Sequence, residues 1–562
     1  MVYDSTRLSA LQEIDPQVGL SDFIGLAANR PVSMLTFYLN YAVAGMDPYY
    51  FRVFNIVLLA GTATSIVAML LLLIRVVDLE GLTSPIDKKL LAAGVGLLFL
   101  VHPANSSVVL YIWQRQALLA CFFYCSAFLV YLATRTGSLR SAKIGYLICF
   151  GLFVCAILSK ENAITLPLII ILAEVAFFKQ KARGLFKAVG LIGCFAAVSL
   201  VFKSMFEWLF FGIITPTHVA DTIEHFRGLS TLTPVEIALT LSTVIFSHYL
   251  PMILLPMPSS IKILDAVVIS RSLMEPPSTL FAVLGIALLV VASLMFLKKR
   301  PLASFGILFF LINISPEPLL EPQFLFMGHR ASLPMVGLCF VAADALLALI
   351  GWVKRFMEST RIRERLAILL FIPIVWCAMV SHLRAEIWSN PLFLWKDIVR
   401  GLPPAGPNVE RANYYIALGS LGREMKKLGK FDEAIDLYER ALEIWPNSDR
   451  GYLNLADALA MTGRTREAIA CYGKALELQP DDAAVHFNLA VTLLEDGRRT
   501  DAIHHLRRAI EIKPRFAKAH YRLGQILSES GECAEGEQHI SKAVKIDPGL
   551  VKKKAAEPAS LR

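Results

Sequence analysis

One spacing constrains this chain more than any other feature: near the carboxyl end, a proline recurs every 34 residues, at Pro446, Pro480, Pro514 and Pro548. Glycines keep the same period (Gly429, Gly463, Gly497, Gly531), and so do alanines (Ala441, Ala475, Ala509, Ala543). Small residues allow two helices to approach closely, and a proline ends the second helix, so this pattern is typical of stacked helical pairs. We predict four such pairs over approximately 415–448, 449–482, 483–516 and 517–550.

A period of 34 residues is that of the tetratricopeptide repeat (TPR), which forms an α-solenoid that binds other proteins. Asn454 and Asn488 lie one period apart on the first helix of the second and third pairs. A side-chain amide offers both a donor and an acceptor, so it can hold a peptide backbone of any sequence. We predict that both asparagines line a peptide-binding TPR groove; ordinary polar positions on a helix surface are an equally weighted alternative.

The rest of the chain has the composition of a membrane protein. Of its 562 residues, 56% are hydrophobic and only 18% are charged, with a mean hydropathy of +0.56. The formal charge of +9 sits in short basic clusters between apolar runs, which is a sign of membrane topology and not of nucleic-acid binding. The cysteines show no spacing typical of zinc or disulfides, and no histidine–aspartate spacing suggests a metal, so we expect no metal site.

Ten apolar runs are roughly long enough to cross a bilayer. They cover 50–75, 88–103, 111–134, 143–159, 163–179, 185–206, 279–297, 301–319, 332–350 and 366–384. An eleventh run, 234–256, is interrupted near its end by Pro251, Pro256 and Pro258. Five loops on one side of the resulting topology hold 18 lysines and arginines, which the positive-inside rule places in the cytoplasm. For that count to close, 234–256 should be re-entrant or interfacial, and the repeats should be extracytoplasmic.

These observations predict an all-α protein, a polytopic transmembrane bundle followed by a TPR solenoid. Its segments are an outer-face loop with an amphipathic helix (1–49), the membrane domain (50–384), an amphipathic linker (385–414), the four repeats (415–550) and a basic tail (551–562). Trp388 and Trp395, in the linker region, are expected to be interfacial anchors.

Ionisable residues near a bilayer are costly and are functional hypotheses by default. Those of this chain gather on the predicted outer face: Asp4, Asp15, Asp22, Arg30, His102, Arg115, Lys160, Glu161, His329 and Arg330. Cations can hold a phosphate, and a carboxylate can deprotonate an incoming hydroxyl, so this set suits a reaction on a lipid-linked anion.

Several short motifs carry a resemblance to a known family. They are the stretch from Arg30 to Asn40, Leu100 to Pro103, Tyr111 to Arg115, Ser159 to Glu161, and Gly328 to Pro334, followed by the exit into the repeats. In this order they resemble the transmembrane and tetratricopeptide-repeat O-mannosyltransferase-like proteins, polytopic glycosyltransferases of the GT-C fold. The family's first outer loop carries an acidic pair after a tyrosine, whereas this chain has Tyr3-Asp4-Ser5.

The resemblance implies an enzyme that takes a sugar, mannose in the family, from a polyprenyl-phosphate carrier and transfers it to a protein hydroxyl. It assigns Asp4 as general base, with Asp15 and Asp22 in reserve. Arg115, Lys160 and Arg330 would hold the donor phosphate. His102, Glu161 and His329 would support them, with Glu161 orienting Lys160 or binding the acceptor; a self-neutralising Lys160–Glu161 pair is an equal alternative.

The expected partners are the lipid bilayer, the lipid-linked sugar as donor, and a protein acceptor or partner held by the TPR groove, with no further cofactor. The expected location is a bacterial inner membrane, or the endoplasmic reticulum in a eukaryote. Two other functions stay open: a non-catalytic membrane-anchored scaffold for an envelope or secretion complex, and, with less support, a transporter.

Overall fold

The computed structural model describes residues 30–45, 47–77, 85–178, 232–261, 265, 267–317, 325–356, 360–402 and 411–547. Within these ranges the regular structure is helical, apart from an isolated bridge between Ser272 and Glu275. The predicted all-α class is therefore confirmed. The chain divides into two compact units, the first ending at Pro391 and the second containing the repeats.

The first unit is a bundle of twelve described helices. They are α1 (Pro31–Ala44), α2 (Pro48–Val76), α3 (Pro85–Val101), α4 (Ser106–Leu110), α5 (Arg115–Arg135), α6 (Ala142–Ser159), α7 (Leu166–Phe177), α8 (Pro234–Leu254), α9 (Ser278–Phe296), α10 (Pro301–Ile314), α11 (Ser332–Phe356) and α12 (Thr360–Ser389). Among the described residues, α2, α5, α6, α8, α9 and α11 are long and apolar enough to cross a membrane, and α3 and α4 together form a seventh candidate bent by 45°.

Two predicted runs differ in the structure. The run 163–179 begins as a 3₁₀ turn, Glu161–Thr165, and becomes α-helical only from Leu166 to Phe177. The run 301–319 is helical as α10 from Pro301 to Ile314. The run 185–206 lies outside the described residues.

Helix α8 continues through Pro251, which was expected to interrupt the run 234–256, while the re-entrant or interfacial placement of this run stays a prediction. Pro251 does not break the helix, because a π-helical turn at Ile245–Tyr249 immediately precedes it and absorbs the missing amide donor. The helix ends only at Leu254, before Pro256, so its 21 residues are enough to cross a bilayer. A proline ends a helix where the backbone hydrogen bonds before it cannot change register. In α8 they change to the π-helical register, so the helix continues.

Helices α10 and α11 form a close pair because both carry a glycine where they cross. A Cβ on Gly306 would lie 2.4 Å from the carbonyl oxygen of Gly337, and a Cβ on Gly337 would lie 2.4 Å from that of Gly306. Small residues at such a crossing let two apolar helices approach within backbone contact. The pair brings the residues after α10 next to the residues before α11.

The second unit begins with α13 (Pro391–Gly401), which is followed by four helical pairs. These are α14 (Arg411–Lys427) with α15 (Phe431–Ile444), α16 (Asp449–Met461) with α17 (Thr465–Leu478), α18 (Ala483–Glu495) with α19 (Arg499–Ile512), and α20 (Ala517–Glu529) with α21 (Cys533–Ile546). The periodic alanines Ala441, Ala475, Ala509 and Ala543 are buried.

The periodic glycines join the two helices of each pair. Gly429, Gly463, Gly497 and Gly531 have φ values of 73°, 76°, 79° and 92°. This left-handed region suits glycine because it has no Cβ, so the turn explains the period. Trp388 on α12 and Trp395 on α13 are both buried in the protein. Buried indoles do not fit the interfacial anchors that the sequence predicts, because an anchor exposes its ring to the lipid headgroups.

Candidate functional site

Two of the predicted cations meet a carboxylate that sequence reasoning did not select. The ammonium nitrogen of Lys160 lies 2.7 Å from Oε1 of Glu317, and Nε of Arg330 lies 2.7 Å from its Oε2. Lys160, Arg330 and Glu317 are 4%, 5% and 7% exposed. We call these three residues the buried ion cluster. Separate parts of the chain thus bring together two of the three predicted phosphate-binding cations.

Local backbone geometry aims these side chains. Lys160 follows the last residue of α6 and has an extended backbone (φ −161°, ψ 140°), after which the 3₁₀ turn Glu161–Thr165 begins. Arg330 lies in a second 3₁₀ turn, Gly328–Ala331, just before α11. Glu317 follows α10 beside Pro316. Each charged group therefore stands at a helix end, where an ionisable side chain can be placed beside the apolar bundle at lower cost than within a span.

A ladder of polar side chains supports the cluster. The Asn162 amide donates to Oε1 of Glu317 at 2.8 Å. On the same turn the Thr165 hydroxyl donates to Oδ1 of Asn313, on α10, at 2.6 Å. The Tyr124 hydroxyl on α5 is 3.2 Å from the Thr165 hydroxyl. These hydrogen bonds tie α5, α10 and the 3₁₀ turn together, so they restrict the movement of Glu317.

A second ion pair lies beside Lys160 in sequence and is more exposed. The Arg30 guanidinium contacts both carboxylate oxygens of Glu161, at 3.0 and 3.3 Å, and donates to Oε1 of Gln116 at 2.6 Å. The expected contact between Glu161 and Lys160 is therefore wrong: Glu161 pairs with Arg30, and Lys160 pairs with Glu317. An extended backbone at Lys160 directs successive side chains to opposite sides, so neighbours in sequence do not become partners.

His329 and His102 differ in their contacts. His329 is buried in the 3₁₀ turn that carries Arg330, and its Nδ1 has no hydrogen-bond partner among the described residues. His102 accepts a hydrogen bond at Nδ1 from the Ala104 amide, so its Nε2 carries the proton and donates to the carbonyl of Ile253, 2.9 Å away. His102 thereby ties the end of α3 to the end of α8.

Arg115 has contacts of another kind. Its Nε donates to Asn55, its Nη1 to the carbonyl of Thr36, and its Nη2 to Asn40 and to the carbonyl of Phe51. The guanidinium also lies over the rings of Phe37, Phe51 and Phe54, and the residue is fully buried. These contacts favour a structural role that joins α1, α2 and α5. The role of Arg115 at the donor phosphate stays a prediction.

The remaining predicted catalytic residues, Asp4, Asp15 and Asp22, lie outside the described residues, so the general base stays a prediction. Glu317 is the residue that sequence reasoning missed. It is the sole charged residue of the apolar run 301–319, and an isolated charge at the end of such a run is a signal that could have found it. Within the described ranges, no group of three or more His, Cys, Asp or Glu side chains could hold a metal ion.

In the repeats, the two predicted groove asparagines differ. The Asn488 amide donates to Oδ1 of Asp457 at 3.0 Å. The same carboxylate accepts from the Tyr472 hydroxyl at 2.8 Å and pairs with Lys426 at 3.1 Å. Asn488 thus takes part in a polar contact between neighbouring repeats, whereas Asn454 is half-buried and makes no such bond to the residues that the structure describes. Peptide binding by either asparagine stays a prediction.

The fold and its sites define a class: a multi-span membrane protein with tetratricopeptide repeats. A family model described as "Tetratricopeptide repeat" matches residues 427–491 and 493–556, which confirms the repeats. Among solved structures, the crystal structure of MamA is similar over 32% of this chain and 96% of that chain, with 22% identity and a TM-score of 0.26.

Curated relatives confirm the resemblance to the O-mannosyltransferase-like family. Human "Protein O-mannosyl-transferase TMTC1" is 32% identical over 154 residues, which are 26% of this chain and 16% of the human protein. The Drosophila melanogaster protein of the same name is 33% identical over 148 residues, 26% of this chain and 15% of that protein. Human "Protein O-mannosyl-transferase TMTC3" is 30% identical over 148 residues, 26% of this chain and 14% of that protein. The similar stretch thus spans about a sixth of the relatives' length.

Proposed function

We propose that this chain is a membrane glycosyltransferase that moves a sugar from a polyprenyl-phosphate carrier to a protein hydroxyl. The relatives' names suggest mannose as the sugar. The observation that carries the proposal is the buried ion cluster of Lys160, Glu317 and Arg330. Two cations and one carboxylate leave these three residues with one excess positive charge, next to the more exposed Arg30–Glu161 pair.

That excess charge suits the phosphate of a lipid-linked sugar. A phosphate that joins a polyprenyl chain to a sugar is a diester and carries a single negative charge. A buried charge is costly unless it is paired, so three buried residues whose formal charges sum to +1 favour an anion of one charge. Arginine and lysine are also the side chains that hold phosphate most strongly, through charge-assisted hydrogen bonds.

The proposed chemistry is a single displacement at the anomeric carbon. A carboxylate, for which Asp4, Asp15 and Asp22 are the candidates, accepts the proton of the acceptor hydroxyl. The hydroxyl oxygen forms a bond to the anomeric carbon while the bond from that carbon to the phosphate oxygen breaks. The departing phosphate keeps the electron pair and gains a negative charge, which Lys160 and Arg330 stabilise as it develops.

The sidedness of the protein belongs to the same proposal. The excess of basic residues in one set of loops supports a cytoplasmic location for those loops and an extracytoplasmic location for the buried ion cluster and the repeats. The repeats would then bind the acceptor protein, or a partner, on the face where the sugar is transferred. An inner membrane or the endoplasmic reticulum membrane fits this arrangement.

The test is transfer of labelled mannose from polyprenyl-phosphate mannose to protein in membranes that contain the full chain. We expect Lys160→Met and Arg330→Met to reduce transfer by at least about a hundredfold, the loss typical of removing one group that stabilises charge in a transition state. Arg300→Met is the matched control. Its guanidinium also pairs with a buried carboxylate, that of Asp344 at 2.7 Å, but in a separate ion pair of the bundle.

Equal transfer by wild type and both cluster variants would remove the site assignment. No transfer by the wild type, with the protein present in the membrane, would leave the scaffold as the function. Expression of each variant at the wild-type level, measured by detergent size exclusion, separates lost chemistry from lost folding.

A further inference from the structure

We infer that Glu317 determines which phosphates the site accepts, by limiting the bound phosphate group to one negative charge. The inference rests on the proposed function and adds a specificity-determining residue to it. Its basis is the position of the carboxylate: it stands between the two cations that would hold the phosphate, and each oxygen faces one of them.

The electrostatics follow from this position. Glu317 cancels one unit of the positive charge that Lys160 and Arg330 bring to the site, and its removal would restore that unit. A phosphate held by both cations lies within several ångströms of the carboxylate, which repels it in proportion to its own charge. A doubly charged phosphate therefore feels twice the repulsion that a singly charged phosphate feels.

Glu317 is also held in place, so it cannot easily move away from an arriving anion. Asn162 donates to one of its oxygens, and the residue is buried just after α10, the helix whose backbone meets that of α11 at Gly306 and Gly337. A fixed carboxylate keeps its repulsion, whereas a mobile one would turn into solvent. The fixed position distinguishes this carboxylate from a surface residue of the same charge.

The repulsion by Glu317 favours binding of the donor and release of the spent carrier. The donor phosphate is a diester with one negative charge, and transfer of the sugar converts it to a monoester with about two near neutral pH. Glu317 repels the monoester about twice as strongly as it repels the diester. The carboxylate thus helps the spent carrier phosphate to leave the site, and it weakens the binding of doubly charged phosphates that compete with the donor.

The experiment compares two inhibitors of equal lipid length in the transfer assay with the purified full chain in detergent. Farnesyl methyl phosphate carries one negative charge, and farnesyl phosphate carries about two at pH 7.5. In Glu317→Gln, the inhibition constant for farnesyl phosphate should fall by about tenfold more than that for farnesyl methyl phosphate, because the doubly charged group gains more when the repulsion is removed. Turnover of this variant should fall as the product is retained.

Two variants complete the test. Glu317→Asp keeps the charge and should keep the wild-type ratio of the two constants. Asp344→Asn removes a paired, buried carboxylate elsewhere and should leave the ratio unchanged. A role of Glu317 in folding alone would change the yield of active protein but not this ratio. An unchanged ratio in Glu317→Gln, or a shift of the same size in Glu317→Asp, would overturn the inference.

If Glu317→Gln does not yield folded protein, the wild type alone can test the inference. Lowering the pH from 7.5 to 5.5 protonates farnesyl phosphate to a single negative charge, so it should inhibit more strongly, while farnesyl methyl phosphate is unaffected. Weaker inhibition by farnesyl phosphate at pH 5.5 would overturn the inference. Wild-type protein that transfers no sugar, yet binds both probes with the expected preference, would refute the proposed function and leave this inference standing.

Discussion

Acidification from pH 7 to pH 5 should loosen the third repeat, and His505 should account for much of the effect. His505 on α19 stacks on His486 of α18, with their Nδ1 atoms 2.9 Å apart. The Nε2 of His486 lies 3.0 Å from the carbonyl of Pro480, which can only accept, so that nitrogen carries the proton. His486 must then accept at Nδ1, and His505 must donate. The hydrogen bond needs a neutral His486, because a protonated ring has no acceptor, and a protonated His505 would place a positive charge beside His486 and His504.

Stability should fall on acidification because the pKa of His505 is lowered in the folded state. Burial, and next the neighbouring His486 and His504, lower this pKa from 6.5 to about 4, while Asp501 opposes the shift. The unfolded chain binds a proton at a higher pH than the folded chain does. Stability that is fully present above about pH 6.5 is therefore lost as the pH falls towards 4.

A shift of this size corresponds to about 3 kcal/mol at its limit. His505 is only half-buried, so solvent screening reduces the value. We expect a loss of about 1 kcal/mol from the opening free energy of residues 483–512 between pH 7 and pH 5.

Hydrogen exchange of the full chain in detergent, corrected for the pH dependence of intrinsic exchange rates, measures this opening free energy. His505→Asn places an amide where the donating Nδ1 stood and cannot be protonated, so it should remove about 1 kcal/mol of the pH dependence. His382→Asn, at an exposed histidine of α12 outside the repeats, is the control and should not. Equal pH dependence in His505→Asn and wild type would refute the reasoning. The equivalent pair, His520 and His539, has Nδ1 atoms 2.8 Å apart and should respond in the same direction.

Three further predictions concern stability, measured as the thermal midpoint of the full chain in detergent. Gly337→Ala should lower the midpoint by several degrees, since overpacking costs about 1–3 kcal/mol, whereas Gly351→Ala, whose added Cβ would meet open space, should not. Asp457→Leu should cost about 1–3 kcal/mol by leaving three donors unpaired, and the exposed Asp436→Leu should cost little. Arg115→Lys should also lower the midpoint, because lysine cannot reproduce the guanidinium's four acceptor contacts; a changed KM for the donor in folded protein would instead support the role of Arg115 at the phosphate.

Much of the fold could be predicted, because it depends on patterns within short stretches of chain. The positive φ of Gly463 and the burial of Ala475 are local requirements of one helical pair, so they recur with every repeat. The apolar run of α5 similarly predicts its own helix. The failures came where neighbours in space decide the outcome. Pro251 stays within a helix because the preceding turn adjusts, and the side chain of Trp395 is buried although its position in the sequence predicts exposure.

The candidate site shows the same division. Lys160 and Arg330 could be selected from the sequence because a cation at the end of an apolar run is energetically costly and therefore indicates a functional role. Their partner could not be inferred from adjacency. An extended backbone at Lys160 turns Glu161 away towards Arg30, and the close crossing of α10 with α11 brings Glu317 to Arg330.

By itself, then, the sequence determined the elements: which segments are helical, which are apolar enough for a membrane, and which repeat. These properties depend on residues a few positions apart and on their transfer from water. Only the tertiary structure decided which charges face one another, because that depends on where separate helices end and how closely their backbones approach. The buried ion cluster is a property of that packing.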